Sequence, residues 1–524
     1  MKLHFIQFAR RGMLFALALL WLTGPAAAWQ QSEREEKSAT ATEPSQEKPR
    51  DERRLSEKDA QKLFATIDEI LRFASTDTKL PIRHPVKRKL LSREELREFM
   101  AGRAKEEGDT QRVRRSEAVL KKFGLVPRDF SLEKFLADLQ AEQVLGFYDT
   151  KTATVYLLDW VEPGAQRSVL AHELAHALQD QTIGLEAWLK EGKSSAKEGT
   201  ESEARSVELD ERSLARRALV EGQAMHVLVN YTLAAAEVWA GPAGSRSRSP
   251  QNSPEFTAMF DKQKKSPVLE RAPLFIRESM SFPYSYGFLF VQEVADKRGK
   301  EGAFAGLLRK PPLNTYQIMN PKSYFNAEPA EPMRVPAITP LLGDGLVRFD
   351  TGTMGALEVM LFLQQFASDG TARKLSRKWR GGFYYTATKK QGNGATEGEG
   401  GGQDAPAVSP AALSLLYVSR WASAEDTARF AGIYSAALSK RYLRVTASAA
   451  EVSTRGSMTH IGPPTQWSTE EGLVVVQSCG DTVLALESFD ASTAARLRRA
   501  FLGPCLHRRQ LGDEPPHSPR RGPP

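Results

Sequence analysis

The sequence predicts an α+β fold that is mainly helical, with one short sheet and a C-terminal part mixing helices and strands. Three observations predict it. Residues 58–124 and 207–237 carry apolar side chains at helical spacing. The aromatic and β-branched run from Gly146 to Leu158 folds about a turn at Asp149–Thr152 as a hairpin. Residues 341–510 alternate helix-like segments (353–367, 424–438, 491–502) with strand-like ones (Phe383–Thr388, Leu415–Val418, Leu473–Gln477, Thr482–Leu486).

The elements justify themselves in order. Lys2, Arg10 and Arg11 precede the apolar run Met13–Leu22, which Gly24-Pro25 breaks before Ala26-Ala27-Ala28. That is the pattern of a cleaved signal peptide over 1–28, so export to the periplasm or beyond is expected. The run is short for a membrane span, and no stable span is expected after cleavage. Residues 29–56 are almost devoid of apolar side chains and predict a disordered linker. In the helical N-terminal region, 57–125, Leu63, Ile67, Ile70, Leu71 and Phe73 mark one helix. Ser92-Arg93-Glu94-Glu95 gives a second its capping box, and Gly124 stops a third. Residues 126–340 hold the hairpin, a helix near Arg167–Asp180, the long helix at 207–237 and a Gly/Ser/Pro loop at 240–254. A turn is expected at Phe282-Pro283-Tyr284, with helix resuming from Tyr286 to Arg298. The C-terminal α+β domain, 341–510, carries a low-complexity insert at 391–407, and 511–524 predicts a disordered tail.

Composition narrows the function. The chain is 41% hydrophobic and 26% charged, which fits a soluble globular protein. The formal charge of +8 falls to +5 once Lys2, Arg10 and Arg11 leave with the signal peptide. No concentrated basic stripe is present, so no nucleic-acid partner is expected. The two cysteines, Cys479 and Cys505, can pair in an oxidising compartment and close a local loop.

The chemistry lies in VLAHELAHALQDQ, residues 169–181. His172 and His176, four apart, share one helix face and can converge on a single metal ion. Glu173 then stands beside that ion, placed to take a proton from bound water. The flanking residues are apolar or small, as a buried metal helix requires. Zinc in a catalytic site takes three protein ligands and keeps one open position. Thr182 stands where a third His would complete a metzincin motif, which removes that class. Asp180 is one candidate, as a direct ligand or as an acceptor orienting an imidazole. Glu221 is the stronger one, because a lone mid-helix carboxylate in an apolar stretch is costly unless paired or metal-bound. His226 is a rival. Gly222 and Ala224 leave room for close helix packing. Tyr284, with Tyr286 and His226 behind it, could donate to a tetrahedral oxyanion. The strand at Phe147 and Tyr148 could pair with an extended peptide.

In these residues the chain resembles the gluzincin group of zinc metallopeptidases, in which a HExxH helix is joined by a Glu from a later helix. It is also similar to a family of exported bacterial metallopeptidases. The shared pieces are EQVLGFYDTKTATVYLL (142–158), LAHELAHALQDQ (170–181), RRALVEGQA (216–224), FPYSYGFLFV (282–291) and PPLNTYQIMNPKSY (311–324). KWRGGFYYT (378–386) and RWASAEDTARFA (420–431) match more loosely. The resemblance implies a zincin-like domain over 126–340, Zn2+ held by His172, His176 and Glu221, Glu173 as general base, and a peptide or protein substrate. Two positions depart from the family's pattern: Asn320 replaces a His before Pro, and Tyr316 replaces an acid. Two other functions fit the residues: a zinc-containing envelope protein that binds or assembles without catalysis, and a hydrolase of non-peptide amides.

Overall fold

Two sheets and a set of buried helices organise the chain. The computed structural model describes residues 55–107, 110–142, 146–161, 163–190, 200–240, 267–328, 333, 335–390, 408–447 and 465–511. The expected signal peptide, the linker up to residue 54, the loop from 241, the insert at 391–407 and the tail from 512 lie outside the described residues.

Ser56 caps α1 (Glu57–Thr78) by accepting from the Asp59 N–H. Leu63, Ile67, Ile70, Leu71 and Ala74 form its buried stripe. Strand β1 (Lys87–Leu91) follows. At α2 (Arg93–Glu107) the capping box is reciprocated: Ser92 N–H donates to Glu95 (2.9 Å) and Glu95 N–H to Ser92 Oγ (3.2 Å). Next are α3 (Thr110–Lys122) and α4 (Leu132–Glu142). The hairpin is β2 (Gly146–Asp149) and β3 (Thr154–Leu158), with Phe147 opposite Tyr156. The sheet order is β1-β3-β2, with β1 parallel to β3. The sequence suggested only helices across this N-terminal stretch. The strand Lys-Arg-Lys-Leu-Leu hides because its first three side chains are exposed and it gains its shape from pairing with β3.

Helix α5 (Pro163–Ile183) carries the HExxH motif, and Gly184, at φ 65°, separates it from α6 (Leu185–Lys190). The longest helix, α7 (Thr200–Ala240), packs against α5. After α8 (Pro267–Glu270), helix α9 (Leu274–Glu301) lies along α7 and ends in a π-turn, Gly302–Gly306. Here the expected turn at Phe282-Pro283-Tyr284 is corrected: Pro283 lies inside α9, which starts twelve residues before Tyr286. Phe282 and Tyr284 are buried on either side of the proline, and that packing outweighs its missing N–H. Ser281 and Ser285 hydroxyls bond back to the Arg277 and Ser281 carbonyls. Between α7 and α9 the backbones touch. A Cβ on Gly222 would lie 2.2 Å from the Gly287 carbonyl carbon, and one on Gly287 2.0 Å from the Ala218 oxygen.

Short helices α10 (Leu307–Arg309), α11 (Thr315–Met319), α12 (Pro321–Phe325) and α13 (Thr339–Leu342) lead to the second sheet. Its elements are β4 (Leu346–Gly352), α14 (Ala356–Phe366), α15 (Asp369–Leu375), β5 (Trp379–Lys389), β6 (Ser414–Trp421), α16 (Ala424–Arg441), β7 (Val445–Ala447), β8 (Thr465–Thr469), β9 (Gly472–Cys479), β10 (Thr482–Glu487) and α17 (Ala491–Leu511). The order is β4-β5-β6-β10-β9-β8-β7, and every pairing is antiparallel. Side chains alternate between two cores. Leu415, Tyr417, Val483 and Ala485 join the main core, which reaches back to Leu63 on α1; Leu416, Val418, Leu484 and Leu486 join Leu497 and Leu502 of α17. The fold is α+β. Cys479 is disulfide-bonded, as the pairing read from the sequence requires; the Cys505 side chain lies outside the described residues. Among the described residues no helix is long and apolar enough to cross a membrane.

A buried ionic group ties α3 to the second sheet. Lys122 Nζ donates to Glu471 and Ser488, both at 2.8 Å. Arg441 Nη2 donates to the Lys122 carbonyl (2.6 Å) and to Glu487 (2.7 Å), which also accepts from Tyr434 and Tyr442. Burial alone would raise the Glu487 carboxyl, but Arg441 and Lys122 hold it below the ordinary glutamate range. A depressed carboxyl contributes stability above its unfolded value and loses it as pH falls toward its folded one. Arg441→Met leaves Glu487 buried without the cation that hydrogen-bonds it, with only Lys122 nearby. We expect it to cost about 3–5 kcal/mol, read by denaturant unfolding, and to flatten the parent's loss of stability below about pH 4.5.

Candidate metal centre

The metal-type residues sit in the dry middle of the protein. Val169, Leu170, Ala171, Leu174, Ala175, Ala177 and Leu178 bury α5 on its other faces. His172 is fully buried, Glu173 is 1% exposed and His176 5%. The two Nε2 atoms face each other at 3.1 Å, with ring planes at 86°. Glu221, from the middle of α7, places Oε2 at 3.3 Å from His172 Nε2 and 3.5 Å from His176 Nε2. Donors about 2.0–2.1 Å from a tetrahedral zinc stand about 3.3–3.4 Å apart, so this triangle has the edges of one face of a zinc tetrahedron. Among the described residues these three form the one group of His, Cys, Asp and Glu whose ligand atoms all approach within 4.8 Å. Neither Glu221 oxygen has a properly aligned hydrogen bond, although both are buried. A carboxylate is costly in that state unless a cation holds it.

The charges fit the same reading. Burial would raise the Glu221 carboxyl, but His176 and His172 beside it hold it at about 2. Burial would lower His176, yet the Glu221 charge lifts it to about 9. Burial keeps His172 below its ordinary value, against the pull of Glu221.

Glu173 points differently. Its Oε2 accepts from the Tyr148 N–H of β2 at 2.9 Å, while Oε1 is buried without a partner. Burial lifts its carboxyl to about 8, against the pull of His176 and the Tyr148 N–H. β2, suggested by the sequence as a strand that could pair with a peptide, is one of the two outer strands of the small sheet, and its Tyr148 N–H is taken by Glu173.

Tyr284, one turn from Gly287 on α9, lies against His172 with ring centroids 6.2 Å apart. It is 3% exposed, and burial, with Glu221 and Glu173 nearby, raises its hydroxyl well above the ordinary value. The phenol therefore stays protonated and able to donate.

Other candidates stand elsewhere. Asp180 accepts from the Tyr148 hydroxyl (2.8 Å) and the Leu185 N–H (2.8 Å), which corrects its reading as ligand or imidazole acceptor. That acceptor is Gln179, whose Oε1 lies 2.9 Å from His176 Nδ1. His226 turns toward Asn230 (3.1 Å) and Asp77 (3.8 Å), between the rings of Phe288 and Phe304. Tyr286 donates to Met360 Sδ. Tyr316 donates to the Arg377 carbonyl (3.1 Å), and Asn320 caps α11 through the Tyr316 carbonyl (3.1 Å). Sequence reasoning missed Gln179 and Gln223. The only signal was spacing: an uncharged amide three residues past a ligand His, and another two past Glu221.

Fold and site together define a HExxH metal-type centre completed by a glutamate from a second helix. A family model described as Peptidase_M78, IrrE N-terminal-like domain, matches residues 129–238. The matched span contains β2, β3, α5 and most of α7, with His172, Glu173, His176 and Glu221; Tyr284 lies beyond it. No curated protein and no solved structure matches the chain.

Proposed function

We propose that this chain is an exported zinc metallopeptidase of gluzincin type that hydrolyses peptide bonds in peptide or protein substrates. The observation that carries the reading is the buried triangle of His172, His176 and Glu221 with the partnerless Glu173 Oε1 beside it. The leader pattern at 1–28 supports export.

His172 Nε2, His176 Nε2 and the Glu221 carboxylate would hold the ion. Zinc bound there supplies Lewis acidity toward a water and the scissile carbonyl. Glu173 takes the proton from the attacking water at Oε1, while the Tyr148 N–H keeps Oε2 in place. Its raised affinity for a proton suits it to that acceptance, and once protonated the same carboxyl stands beside the leaving amine as the acid. Tyr284 stays neutral and donates to the developing oxyanion. A structural metal site has no use for Glu173, which is why catalysis is favoured over binding alone.

Metal removal tests the reading. Dialysis of the purified protein against a zinc chelator is expected to abolish cleavage of a quenched peptide mixture, and about one equivalent of zinc to restore it. Cleavage that survives metal removal would exclude a zinc peptidase.

A further inference from the structure

We propose that Gln179 and Gln223 form a one-way hydrogen-bond relay that fixes the tautomer of His176, so that its Nε2 lone pair faces the metal position. The relay rests on the zinc reading above.

Its direction is set from the far end. The Ala303 and Phe304 carbonyls, in the π-turn after α9, can only accept. They receive Gln223 Nε2 at 2.7 and 3.1 Å. This turns Gln223 Oε1 toward Gln179, whose Nε2 donates to it at 2.9 Å. The same Nε2 donates to the Val220 carbonyl at 3.0 Å, a second acceptor that forbids flipping the amide. Gln179 Oε1 is left facing His176 Nδ1 at 2.9 Å. An amide oxygen only accepts, so Nδ1 keeps its hydrogen, and Nε2 is the nitrogen left to offer a lone pair to a metal.

Burial keeps water from substituting for any link: Gln179 is 1% exposed, Gln223 0% and His176 5%. Aligned donors in a dry interior polarise one another and strengthen the imidazole as a ligand. The other ligand lacks such support, since His172 Nδ1 is buried without a partner. Helix α7 thus supplies both a ligand, Glu221, and a positioning residue two places on.

Zinc affinity of the full chain, by competition with a fluorescent chelator, tests the relay. Gln179→Leu is expected to weaken binding by about 10–100-fold. Gln223→Leu should weaken it less. The double variant should be no weaker than Gln179→Leu alone, because Gln223 acts only through Gln179. The visible spectrum of cobalt-loaded protein should change in Gln179→Leu and in the double variant alike, a shift that lost packing would not produce. Gln223→Met replaces Gln223→Leu if circular dichroism shows the latter unfolded. Additive losses in the double variant, or single variants that bind like the parent, would overturn the relay while the zinc reading stood. A parent that binds no zinc would overturn the zinc reading itself, and the relay with it.

Discussion

Glu173→Ala is expected to keep its zinc and lose peptide cleavage by about 10²–10⁴-fold. Glu173 lies outside the ligand triangle, so its removal leaves all three donors in place. The helix tolerates the change, because alanine is the best helix former. The fold should also tolerate it, because the carboxyl is buried with one unpartnered oxygen and a proton affinity raised to about 8. What is lost is the proton acceptor beside the attacking water. Steady-state kinetics, zinc content and a thermal melt on the same preparations separate these effects. A variant that loses zinc together with activity would show that Glu173 supports the metal and would remove it as the base.

Gly287→Ala is expected to damage fold and site together. The new Cβ would lie 2.0 Å from the Ala218 carbonyl oxygen and 3.2 Å from Gly222 Cα, both backbone atoms. Backbone cannot rotate aside, so α7 and α9 must move apart by an ångström or more. Overpacking of this kind costs about 1–3 kcal/mol, and the rigid partner places this substitution at the upper end. The shift would also carry Glu221, next to Gly222 on α7, away from Tyr284 on α9. Denaturant unfolding should show the stability loss, and chelator competition a weaker zinc site. Unchanged stability would mean that the two helices do not touch as closely as described.

The two substitutions show what was legible in the residues alone. HExxH was legible because helix geometry fixes the distance between positions 172 and 176 without reference to the rest of the fold. Glu221 was legible because a carboxylate amid Ala, Leu, Val and Gly needs a reason to be there. Tyr284 was chosen for its chemistry and placed in a turn, whereas it lies on a helix that accommodates a buried proline. The error was local: proline was read by propensity, and packing on α7 overrode it. Gln179 and Gln223 were passed over because an amide in a helix usually faces solvent, and only the fold brings α5, α7 and the π-turn together. Asp180 was misread for the same reason, since its partner Tyr148 comes from a strand 32 residues away. In the second sheet the four long apolar strands were legible, while β4, β7 and β8 were not. β7 has three residues and β8 alternates weakly, so their pairing partners define them.

The central claim is that His172, His176 and Glu221 hold one zinc ion. A zinc-edge anomalous difference map from crystals of the purified protein tests it most directly. One strong peak is expected within about 2.0–2.2 Å of His172 Nε2, His176 Nε2 and a Glu221 oxygen. A peak elsewhere, or none after zinc soaking, would contradict it.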